Sequence, residues 1–210
     1  MARENKHELD IEQPDQLLAY LRHRGSIESQ ETPRVTVLAG GVSNRTVLLE
    51  RDSGEAWVLK QALAKLRVEV DWFSDPSRVH REAAGIRHLA AIAPPGTITP
   101  LVFEDQAHHL LAMQAVPQPH ENWKTQLLAG RINMDCVRQF GELLATIHRE
   151  AWQQRETLAA AFADRSFFET LRVEPYYQYS AEQAPEAATF IDALIRDCRR
   201  RLLTLVHGDY

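Results

Sequence analysis

RVTVLAGGVSNRTVLLERDSGEAWVLK, residues 34–60, is the stretch from which the fold can be read. Two β-type runs, Arg34 to Ala39 and Thr46 to Glu50, flank Gly40-Gly41-Val42-Ser43-Asn44. A third, Ala56 to Lys60, follows the turn Asp52-Ser53-Gly54. The spacing predicts a three-stranded antiparallel meander. The glycine turn joins two strands, not a strand and a helix, so it fits neither a P-loop nor the dinucleotide-binding fingerprint.

Working outward towards the C-terminus, Ser74-Asp75-Pro76 places a capping side chain before a proline at the first helical position. The run to Ala91 then sets Val79, Ala83, Ile86, Leu89 and Ala90 on one face, which predicts a long helix. Leu101 to Glu104 and His109 to Met113 read as two further strands around Asp105-Gln106. Val116-Pro117-Gln118-Pro119 breaks the regular structure and marks a boundary. Beyond it, Met134, Val137, Phe140, Leu143, Leu144 and Ile147 recur at helical spacing, and Glu186 to Leu203 is a second helical stretch. Towards the N-terminus, residues 14–24 begin with a proline, carry Leu17, Leu18 and Leu21 on one face and stop at Gly25, as a short amphipathic helix does. The expected class is α+β. A five-stranded antiparallel lobe with one long helix occupies residues 1–116, with a hinge near 113–117, and an α-rich lobe occupies residues 117–210.

Composition narrows the function. The 210 residues are 44% hydrophobic and 25% charged, with a net charge of −5. Basic and acidic residues are mixed along the chain, so nothing suggests a nucleic acid or membrane partner, and a small or nucleotide ligand fits better. Cys136 and Cys198 have neither metal-ligand spacing nor a disulfide framework. With no apolar run of membrane-spanning length either, the expected location is cytoplasmic.

Three local features can carry chemistry. The glycines of the 40–44 turn permit close backbone approach to an anion, and Ser43 and Asn44 add side-chain donors. Taken alone, the turn is also what a hairpin needing positive φ angles looks like. Lys60 ends Trp57-Val58-Leu59-Lys60, whose apolar neighbours hold its stem while the ammonium reaches for phosphate oxygens. Glu82, in the helix after the third strand, is the carboxylate that can fix that ammonium. Taken singly, either residue is equally a solvated surface group. His207-Gly208-Asp209 follows the strand-like run Leu202 to Val206 and presents a carboxylate able to accept the proton of an attacking hydroxyl. A bare tripeptide of this kind is also an ordinary C-terminal turn.

Taken in order, these residues resemble the aminoglycoside phosphotransferase and choline kinase superfamily, whose members share a protein-kinase-like two-lobe fold and phosphorylate hydroxyls of small molecules. The resemblance covers nearly the whole chain. It implies that Gly40, Gly41, Ser43 and Asn44 form the nucleotide loop, that Lys60 and Glu82 are the ATP-binding pair, and that Met113 and Ala115 belong to the hinge that holds the base. Leu144-Ala145-Thr146-Ile147-His148 is similar to the family's helix motif, and Asp209 matches its catalytic aspartate. The run Lys60-Gln61-Ala62-Leu63 with Arg67 looks most like the methylthioribose kinase branch.

The resemblance further implies ATP or GTP with Mg2+ as cofactors. The acceptor would be a sugar such as methylthioribose, an amino alcohol or an aminoglycoside. The family's magnesium-holding asparagine and aspartate come after the catalytic aspartate and have no counterpart within the 210 residues. Most metal ligands are therefore expected beyond residue 210, with an incomplete helical lobe, an inactive chain by itself, and a complementing chain as a partner. The alternative is a catalytically dead nucleotide-binding or interaction module.

Other residues carry less. His108-His109 and His120-Glu121 lack a helical pair of ligands and read as surface or hinge positions, and His148 reads as a hydrogen-bonded packing residue. Tyr176, Tyr177 and Tyr179 follow Pro175 as pocket-lining or loop-packing aromatics. Arg199-Arg200-Arg201 reads as the charged end of a helix.

Overall fold

The 34–60 segment forms the meander its spacing predicts. In the protein's structure, a computed structural model that describes residues 9–206, β1 spans Arg34–Val37, β2 Asn44–Glu50 and β3 Ala56–Ala62. β4 (Leu101–Asp105) and β5 (Leu110–Gln114) complete a five-stranded sheet of order β1-β2-β3-β5-β4, antiparallel throughout. Several strand ends differ from expectation: β2 starts at Asn44 and not at Thr46, which brings Asn44 from the turn into the ladder opposite Ala62, β4 reaches Asp105, and β5 is shifted by one residue to Leu110–Gln114. β1 stops at Val37, and β3 continues past Lys60 to Ala62, so Lys60 lies inside the ladder, opposite Thr46 on one side and Leu111 on the other.

Residues directly opposite one another in an antiparallel ladder share a face, and successive residues alternate. Val47, Leu49, Trp57, Leu59, Leu110 and Ala112 therefore form one face, and all are buried. What covers them is the N-terminal segment. α1 (Pro14–His23) starts with proline at its first turn and is followed by Gly25 at φ +73°, a left-handed stop that a residue with a side chain resists. Its Leu17 and Leu21, together with Leu9, Ile11 and Ile27, close the core on this face. Each fully buried leucine contributes roughly 1.5–3 kcal/mol relative to exposure. Buried Gln61 anchors the segment, since its Nε2 donates to the Leu9 carbonyl at 2.6 Å and its Oε1 accepts from the Ile11 N–H at 3.4 Å.

The other face is met by α2 (Arg78–Ile92), whose Val79 and Ala83 pack with Ala62 and Leu111, flanked by Leu101 and Met113. The regular helix begins at Arg78 and not at Pro76. The Asp75 carboxylate caps the Ser77 N–H at 2.8 Å, and residues 76–77 form a preceding turn.

The described residues divide into two compact units. One contains residues up to Arg87 and Ile98–His120, and the other His88–Thr97 and residues from Glu121 onward. The second is helical: α3 (Trp123–Leu128), α4 (Met134–Gln153), α5 (Arg155–Phe162), α6 (Ser166–Phe168), a π-helical stretch Glu169–Gln178, α7 (Tyr179–Gln183), a 3-10 turn and α8 (Ala188–Arg200). Its buried apolar side chains are Ile147, Ala151, Leu158, Val173 and Ile195, while Met134, Val137 and Phe140 on α4 are exposed.

Two expectations fail in this unit. Of the two readings of Tyr176, Tyr177 and Tyr179, the loop fails, since all three lie on helix, while Tyr177 lines a pocket with Val173, Leu194 and Ile195; Pro175, which has no N–H to donate, is accommodated inside the wider π turn. Leu202 to Val206 is not a strand. The run has no partner strand among the described residues, and its one side-chain tie is the Thr204 hydroxyl donating to the His148 carbonyl at 3.2 Å.

Candidate nucleotide site

Lys60 is fixed by ladders on both sides, and its side chain leaves the sheet on the α2 face. Its Nζ donates to Glu82 Oε1 at 2.6 Å, with Glu82 just over one turn into α2. The two side chains remain 29% and 35% exposed, so the ammonium is held at one end without being enclosed. That leaves donor capacity for a second, anionic partner.

The glycine turn is attached to the same face. Thr46 pairs with Lys60 and shares its side of the sheet, and a Cβ built on Gly41 would stand 3.6 Å from the Thr46 hydroxyl and 3.3 Å from the Asn44 carbonyl. Gly40 has φ +99°, which makes glycine a backbone requirement there. The turn's carbonyls are tied inward: Val42 O accepts from the Arg67 N–H at 2.8 Å and Ser43 O from the Leu63 N–H at 3.0 Å. Among the described residues, neither the Ser43 hydroxyl nor the Asn44 amide has a side-chain hydrogen bond, so both are available to a ligand.

Leu48 and Met113 stand on either side of Val58 across the sheet, all three half-buried on the Lys60 face. They make an apolar patch suited to a flat base. Met113 was expected here; Leu48 and Val58 were not, although alternation from Lys60 would have found Val58. Ala115 gives its N–H to the Ala56 carbonyl at 2.8 Å, so its own carbonyl is what it can offer a base.

Arg78 is a further residue that the sequence did not single out. Only 7% exposed, it donates from Nη1 to the carbonyls of Ser74 (3.1 Å) and Asp75 (3.2 Å) and from Nη2 to those of Leu63 (2.8 Å) and Ser43. His207, Gly208 and Asp209 lie outside the described residues.

His80, His108 and His109 all have polar partners within the sheet unit. His80 Nδ1 is 2.6 Å from Glu104 Oε1, and its Nε2 is 3.2 Å from His109 Nδ1. Burial raises the Glu104 carboxyl, but hydrogen bonds from Arg87 and His80 outweigh it and hold the group below its ordinary value. Asp105 follows the same logic. Burial pushes it up, yet the Tyr20 hydroxyl and the His108 and Ala107 N–H groups bring it down to about 2. Among the described residues no group of three His, Cys, Asp or Glu side chains is placed to hold a metal ion. No helix among them is long and apolar enough to cross a membrane.

A glycine turn, a strand lysine and a helix glutamate thus lie together on one open sheet face. The sequence model of the phosphotransferase enzyme family (APH) matches residues 34–210, and the protein belongs to this family. No curated protein matches the chain.

Proposed function

We propose that the protein is an ATP-dependent phosphotransferase acting on a hydroxyl of a small molecule. The observation that carries this reading is the Lys60–Glu82 pair, 2.6 Å apart on an open face beside a turn that requires glycine. In this reading residues 1–116 are the nucleotide-binding lobe and residues 117–210 the helical lobe. The base lies against Leu48, Val58 and Met113 near the Ala115 carbonyl. Lys60 holds the α- and β-phosphates, and the backbone and side chains of Gly40, Gly41, Ser43 and Asn44 cover the remaining phosphate oxygens.

ATP, or GTP in the same role, supplies the γ-phosphoryl group. The acceptor oxygen bonds to the γ-phosphorus as the bond to the β,γ-bridging oxygen breaks, and the hydroxyl proton passes to the Asp209 carboxylate. Electrostatic positioning is the main catalytic contribution in such transfers, which is why a fixed cation at Lys60 matters. The local resemblance of the Lys60-Gln61-Ala62-Leu63 run with Arg67 to the methylthioribose kinase branch makes a sugar such as methylthioribose the first acceptor to try.

The test is transfer of label from γ-labelled ATP, with magnesium, to a panel of sugars, amino alcohols and aminoglycosides, using protein that includes any coding sequence after Tyr210. Transfer that is abolished by Asp209→Asn supports the reading. Absence of transfer to every acceptor with both ATP and GTP contradicts it; saturable ATP binding without transfer would favour a nucleotide-binding module instead.

A further inference from the structure

We propose that Arg78 is a positioning residue for the nucleotide's phosphates, acting by clamping the glycine turn and by placing behind it a buried positive charge with no carboxylate in direct contact. The inference rests on the nucleotide reading above. Its basis is the set of groups that Arg78 binds. Nη2 reaches the Ser43 carbonyl in the glycine turn and the Leu63 carbonyl just beyond β3, while Nη1 reaches Ser74 and Asp75 at the entry to α2. One planar group thus joins the turn, the strand that carries Lys60 and the helix that carries Glu82.

All four acceptors are neutral carbonyls, and no carboxylate is within ion-pair distance of Arg78 among the described residues. Buried charges are ordinarily paired, because desolvation is costly. Here burial pushes the guanidinium below its ordinary value, opposed by the more distant charges of Asp75 and Glu82. Arginine remains protonated regardless. A fold that needed only to tie three segments together could do so without a buried cation. A fold that receives a polyanion beside the turn gains from one, since the charge is prepaid in folding and acts in a low-dielectric surrounding.

The clamp also sets how the turn presents its donors. Ser43 O is held by both the Leu63 N–H and the Arg78 guanidinium, which orients the adjoining peptide groups. Losing one of the two allows the turn to rotate away from the phosphates.

The experiment measures binding of ATP, inorganic tripolyphosphate and adenosine to the wild-type chain, Arg78→Gln and Arg78→Lys by titration calorimetry, alongside melting temperature. Loss of a charge-assisted contact predicts ATP and tripolyphosphate affinities reduced ~10-fold or more in Arg78→Gln. Arg78→Lys, which keeps the charge but not the planar clamp, should recover part of that loss, and adenosine affinity should be unchanged in both. If Arg78→Gln does not fold, the Arg78→Lys ratio of ATP to adenosine affinity decides, a lowered ratio supporting the proposal. A wild-type ratio in a folded variant, with only the melting temperature reduced, overturns it and leaves Arg78 a structural tie. A wild-type chain that binds none of the three ligands overturns the nucleotide reading itself, and the proposal with it.

Discussion

The two faces of the sheet are built from the same strands, often from adjacent residues, yet they serve opposite ends. Leu59 is fully buried beneath α1 with Leu17 and Leu21, whereas Lys60, the next residue, holds Glu82 and stays 29% exposed. On the α1 face, Val47, Leu49, Trp57 and Leu59 make a closed core; on the other, Leu48 and Val58 are only half-buried. The difference arises from what covers each side. The N-terminal segment spans one face, while α2 packs mainly on Ala62 and Leu111 and leaves the Val58 region open. Stability and ligand binding should therefore separate between neighbouring residues.

The largest effect should come from breaking the closed face. Leu59→Ala removes a fully buried side chain and should cost roughly 2–5 kcal/mol in urea unfolding. ATP affinity should be retained under conditions where the variant remains folded.

A smaller effect concerns the tie between α1 and β4. The Tyr20 hydroxyl donates to Asp105 at 2.6 Å, and the carboxyl's value of about 2 is below that of an unfolded aspartate. A depressed folded-state value gives stability that is present above the unfolded value and is lost as pH falls towards about 2. The contribution is on the order of 1–2 kcal/mol. Asp105→Asn should therefore lower stability at pH 7 and flatten its decline between roughly pH 5 and pH 2, measured by thermal melts across that range.

The smallest effect should be at the rim. Arg67 makes a two-pronged contact with Glu12 at 2.6 and 2.8 Å, but its side chain is 46% exposed. Glu12→Gln should change stability by less than about 1 kcal/mol. Because the Arg67 backbone N–H, and not its side chain, holds Val42 O, ATP affinity should be unaffected. A large loss of ATP affinity in this variant would show that the α1 face and the Lys60 face are coupled.

What could be read from the sequence was what is local. The glycine turn, the three strands and α2 follow from patterns within a few residues, and the pairing of Lys60 with Glu82 follows from their places on those elements. Arg78 could not be found this way, because its partners Ser43 and Leu63 are 35 and 15 residues distant and are backbone carbonyls, which carry no side-chain signature. The pattern of Leu17, Leu18 and Leu21 indicated a helix, but not that it would close a whole sheet face. Leu202 to Val206 shows the converse error: an apolar run has strand character only if a neighbouring strand completes its hydrogen bonds.

If the open face around Lys60 receives the phosphates of ATP, titration of ATP into the wild-type chain and Lys60→Ala is the most direct measurement of it. Saturable binding in the wild type, weakened ~10- to 100-fold in Lys60→Ala with the melting temperature nearly unchanged, is the predicted result. Equal ATP affinity in the two folded proteins would contradict the account.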